Sequence, residues 1–142
     1  MAAGVTYTPI ANYTFASAAA NYTFTSIPAT YTDLVCIVNG SFASADGLNI
    51  QFNSDTTNNY SSTYVGGDGS SAISGRNSST SSMSMGYMST SQSTTIINVF
   101  NYANTTTYKT ALSRDNSTVY ALARVGLWRA TPAAITSIKL FG

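Results

Sequence analysis

Turn signals interrupt this chain roughly every eight to twelve residues, and no segment between them carries the period of an amphipathic helix. That spacing restricts the fold to short strands joined by tight connections. Asn39-Gly40 and Asp46-Gly47 are hairpin dipeptides, while Ser26-Ile27-Pro28-Ala29 and Thr131-Pro132 break extended structure. Between them, Leu48, Ile50 and Phe52 alternate with Asn49, Gln51 and Asn53, the pattern of a strand with one buried face. Residues 5–10, 12–15, 21–24, 60–65, 95–101, 108–113, 119–128 and 135–141 are further strand candidates, with a bulge anticipated near Gly126. Met83, Met85 and Tyr87 mark another. The apolar run 33–39 reads as a central strand covered on both faces. Residues 66–82, rich in Gly and Ser, read as a long exposed loop. The sequence Asn-Tyr-Thr-Phe occurs at both 12–15 and 21–24, suggesting two related strands about a small-residue turn. Residues 16–20 are too few for an independent helix.

These signals predict an all-β, single-domain β-sandwich, with a jelly roll preferred because the Cys-Trp-Cys framework of immunoglobulin domains is absent. Residues 1–9 are assigned to an N-terminal anchoring segment or edge strand, and residues 10–142 to the sandwich.

Charge narrows the function. Only 8% of residues are charged, against roughly 25% in ordinary globular proteins. The chain has no His, and its five acidic residues are all Asp: Asp33, Asp46, Asp55, Asp68 and Asp115. Nucleophilic triads, His-containing zinc sites and imidazole acid–base chemistry are thereby excluded. Each Asp lies in or beside a turn, where its carboxylate is suited to capping local backbone. Oxygen-rich turns at Asp55 and Asp68 do not match a dedicated calcium loop, and Gly66-Gly67-Asp68-Gly69 lacks the Lys and following helix of a phosphate loop. No enzymatic activity, cofactor or metal is expected.

The net charge is +1 and the six basic residues are scattered, so neither nucleic acid nor an anionic membrane is an expected partner. The single cysteine, Cys36, sits in an apolar run and reads as a small buried hydrophobe. No apolar stretch approaches the length of a membrane span, and Met1-Ala2-Ala3-Gly4 lacks the basic start of a secretory signal; a cytoplasmic translation product is expected. With no export, the Asn-X-Ser/Thr sites should stay unmodified. So little charge suits a subunit that buries its surface against other proteins. Candidate contact residues are Val5 and Tyr7 in the N-terminal segment, and Tyr60, Tyr64, Arg76 and Tyr87 within or flanking the glycine-rich stretch.

Several stretches carry a family likeness: Ser26-Ile27-Pro28 followed by Tyr31-Thr32-Asp33-Leu34-Val35, then Leu48-Asn49-Ile50-Gln51-Phe52-Asn53, Asn59-Tyr60-Ser61 and Gly67-Asp68-Gly69-Ser70. Later pieces are Ile96-Ile97-Asn98, Asn101-Tyr102, Thr107-Tyr108-Lys109-Thr110 and Val125-Gly126-Leu127-Trp128-Arg129. Together they resemble small β-rich structural proteins of tailed bacteriophages. The resemblance implies a virion component made in the host cytoplasm. The leading expectation is a head decoration (cement) protein on the outer particle surface, a homotrimer bridging subunits of the major capsid protein. The alternative is a tail or fibre module binding host-surface glycan through Tyr60, Tyr64, Tyr87 and the glycine-rich stretch.

Overall fold

A computed structural model describes residues 7–142. Its ten strands are β1 (Asn21–Phe24), β2 (Leu34–Gly40), β3 (Asp46–Phe52), β4 (Tyr60–Gly67), β5 (Ala72–Thr80), β6 (Met83–Met88), β7 (Ser93–Val99), β8 (Lys109–Asn116), β9 (Ala121–Trp128) and β10 (Ile138–Phe141). They form a β-sandwich of a four-stranded sheet, ordered β1-β10-β3-β6, and a six-stranded sheet, ordered β2-β7-β8-β9-β4-β5. All neighbours are antiparallel. Four pairings are nested in sequence: β4 with β5, β3 with β6, β2 with β7 and β1 with β10. The hairpin β8–β9 is inserted into the six-stranded sheet between β7 and β4.

Alternation builds the core. Leu48, Ile50 and Phe52 of β3 and Met83, Met85 and Met88 of β6 face Ile97 and Val99 of β7, Ala111 of β8 and Trp128 of β9. Aromatic rings close one end: Phe52 meets the Trp128 ring edge-on at 5.6 Å, and Tyr60 stacks over Trp128 at 6.4 Å. β9 pairs in unbroken register with both β8 and β4, so the bulge anticipated near Gly126 is absent. Gly126 instead lets β6 approach closely, because a Cβ there would collide with the Met83 side chain. The register shifts lie at Leu48/Asn49 and Tyr60/Ser61.

Three further expectations change. The stretch 66–82 is not a long loop: β4 and β5 form a hairpin closed by a turn at residues 68–71. β2 is an edge strand with one open face, not a central one; Ile37 is 63% exposed. Residues 7–10 and 12–15 lie outside both sheets, and Val5 lies outside the described residues.

Candidate interaction surface

The five carboxylates serve the scaffold. Asp33 accepts the Asn101 N–H at 2.7 Å, and Asp46 accepts that of Gly47 at 2.6 Å. Asp68 caps the β4–β5 turn by accepting the N–H groups of Ser70 and Ser71, which lowers its pKa. Asp55 joins a loop to the core: its Oδ2 accepts Trp128 Nε1–H at 2.7 Å and the Asn59 amide at 2.9 Å. Its partial burial pushes the pKa upward, but the hydrogen bonds from Thr57, Asn59 and Trp128 outweigh that and bring it down to about 2. No group of three or more His, Cys, Asp or Glu side chains is placed to hold a metal among the described residues.

Asp115 and Arg124 are buried together on the inner face of β8 and β9, with Arg124 Nε 3.5 Å from Asp115 Oδ1. The Tyr87 N–H donates to the other carboxylate oxygen at 2.9 Å, and Arg124 lies over the Tyr64 ring at 5.1 Å. Ser113 Oγ, Asp115 Oδ1 and Arg124 Nε have no hydrogen-bond partner among the described residues. Burial raises the Asp115 pKa, and Arg124 and the Tyr87 amide offset only part of that. Burying an imperfectly paired ion pair generally costs stability relative to apolar packing. Here it joins β6, β8 and β9 at one end of the sandwich.

The candidate contact residues scatter. Tyr60 is fully buried; its hydroxyl accepts the Phe52 N–H at 2.9 Å and donates to Asp55 O at 3.1 Å, so it is a core residue and presents no exposed ring. Tyr64 is half-buried beneath Arg124, and Tyr87 packs edge-on against Tyr120 at 5.1 Å. Arg76 is exposed on edge strand β5, and Tyr7 is exposed in the N-terminal segment. These side chains form no common site.

The outer face of the six-stranded sheet does form a continuous surface. One cross-strand row runs Ile37, Ile96, Arg114, Ala123, Val65, Ser74; the next runs Val35, Asn98, Leu112, Val125, Thr63, Arg76. Neither row contains an acid, and Ile37, Val65, Leu112 and Val125 are 41–63% exposed. A solvated antiparallel sheet face is ordinarily polar. Spacing in the sequence concealed this patch, because its members come from four strands. The aliphatic residues opposite core positions in 119–128 were the available signal.

A second feature lies at the sandwich side where both β1 and β2 are edges. Residues 7–20 run outside it, entirely exposed, and residues 7–13 bound a cleft of about 610 Å³ with Phe24, Leu34, Cys36 and Ile138. Burial pushes the Cys36 thiol up to about 11, keeping it protonated at neutral pH. No family model, curated protein or solved structure matches this chain.

Proposed function

We propose that the protein is a virion structural subunit, an external decoration protein of a tailed-bacteriophage head that bridges capsid subunits. The observation carrying this reading is the outer face of the six-stranded sheet, where exposed aliphatic side chains lie in adjacent rows without a carboxylate. Contiguous apolar surface of this kind favours burial against protein. The nested pairings support the jelly-roll assignment: with the β8–β9 hairpin set aside, the remaining eight strands have the sheet orders of a ribbon rolled on itself. Such a subunit works mechanically, resisting expansion of the shell through buried area and rigid hydrogen-bonded sheets.

The test is stoichiometry combined with surface substitution. Purified particles of the virus encoding the chain should contain it in proportion to the major capsid protein. A Leu112→Lys/Val125→Lys variant should fold with an unchanged thermal midpoint yet fail to coat particles. A copy number matching only a tail appendage, or full occupancy by the variant, would sink the proposal.

A further inference from the structure

Residues 7–20 lie outside both sheets, with bends at residues 16, 17 and 20. All are exposed, and none takes part in a hydrogen bond among the described residues. Yet Asn12-Tyr13-Thr14-Phe15 has the same sequence as β1, Asn21-Tyr22-Thr23-Phe24. β1 pairs on one side with β10 and, among the described residues, with no strand on the other. The first copy already lies beside it: the Tyr13 ring stacks on Tyr22 at 3.8 Å, and Phe15 meets Tyr22 edge-on at 6.1 Å. The rings are engaged while the main chain is not.

We propose that residues 7–20 are an exchange arm, and that Asn12–Phe15 adds as a fifth strand to the free β1 edge of a second copy of this chain. Three arguments favour another copy as the occupant. The arm carries the same alternation as the strand it would join, with Tyr and Phe on one face and Asn and Thr on the other, so its pleat is compatible with this sheet. The ring pairs seen within one chain can form between two. Reach is set by residues 16–20, the five that tether the segment to its own β1; extended they span roughly 17 Å, enough to cross from one β1 edge to that of a copy set directly beside it. Holding such an arm in place costs about 1 kcal/mol per residue in backbone entropy. Ladder hydrogen bonds on a neighbour would offset that cost, whereas ring contacts alone leave the backbone groups to water. This deepens the assembly-subunit reading and rests on it only in requiring copies to meet. A chain that self-associates through the arm but coats no particle would remove that reading and leave this inference intact.

The experiment is hydrogen exchange by mass spectrometry on the full chain across a concentration series, with sedimentation velocity reporting its mass. Amides of residues 12–15 should become protected in step with oligomer formation. Tyr13→Pro and Thr14→Pro remove adjacent N–H groups that point to opposite sides of a strand, so at least one deletes a ladder donor. That variant should weaken association about three- to tenfold, with the melting curve of the sandwich unchanged. Protection of these amides in a monomer would overturn the inference, since the arm would then pair with its own chain. A full chain that stays monomeric throughout, free exchange of the arm in an oligomer, or unchanged association of both proline variants would also overturn it.

Discussion

At the residue scale, several strands approach one another closely where a side chain has been dispensed with. A Cβ on Gly66 would collide with the Ala121 carbonyl oxygen and crowd the Leu122 side chain, and a backbone oxygen within a ladder cannot swing aside. Gly66→Ala should therefore destabilise the protein by about 1–3 kcal/mol, read from the urea midpoint at constant slope. Gly40→Ala is the control, because nothing lies within 4 Å of the position its Cβ would take; it should stay within about 0.5 kcal/mol of the parent. Asp55 makes a second residue-level prediction. Its pKa falls from 3.8 in the unfolded chain to about 2 in the fold. The native state thus holds its proton less tightly, and the associated stability is complete above pH 4 and lost as pH falls through 2. Asp55→Asn should flatten the acid limb of a stability–pH curve measured by urea titration, while Trp128 stays in place. An unchanged acid limb in that variant would show that other carboxylates set it. That each Asp would serve a turn or cap was legible for four of the five. Asp115 was not: it pairs with Arg124 across the β8–β9 hairpin, but the packing that buries the pair comes from β6, whose Tyr87 N–H donates to the carboxylate from a strand remote in sequence.

At the element scale, strands with a buried face were readable and strands without one were not. β3 alternates apolar and polar residues because one face meets the core, while in β7 and β9 burial alternates along the strand although residue type does not, with Arg124 inward and Val125 outward. β5 has no such face: it pairs with β4 alone and most of its residues are exposed. Its Gly, Ser and Asn content therefore looks like that of a loop, although backbone pairing needs no hydrophobic alternation. The Asn-Tyr-Thr-Phe repeat makes the same point more sharply. Two identical tetrapeptides differ in outcome because only one lies against β10, and local propensity cannot choose between them. The outward aliphatics escaped detection for the complementary reason, since adjacency across a sheet is a property of register, not of spacing. This difference in support should appear in dynamics. β5 amides should exchange through local opening, well before those of β8 and β9, which are paired on both sides and need near-global unfolding. Native-state exchange under increasing urea separates the two regimes; equal opening free energies for β5 and β8 would contradict the prediction.

At the scale of the whole molecule, the scarcity of charge determines how the protein can associate. Of the six basic residues, Lys109 and Arg124 are buried, the former donating to the Thr107 carbonyl at 2.7 Å. Of the five acids, Asp115 is buried as well. The remaining surface therefore offers few ions for steering or screening, and the outer face of the six-stranded sheet exposes Ile37, Val65, Leu112 and Val125 with no carboxylate in their rows. Association driven by that surface should respond to salt in a characteristic way. At 1 M sodium chloride the screening length falls to about 3 Å, which would dissolve contacts between exposed charges. Contacts made by Ile37, Val65, Leu112 and Val125 should survive, and sulfate should strengthen them by favouring apolar burial. The measurement is retention on particles, or the weight-average mass by sedimentation, across a series of chloride and sulfate concentrations. Steady or rising association along both series is expected. Release in chloride at moderate ionic strength would mean that Arg76 and Arg114, the two cations in the outer rows, carry the contact, and the aliphatic rows would then lose their assigned role.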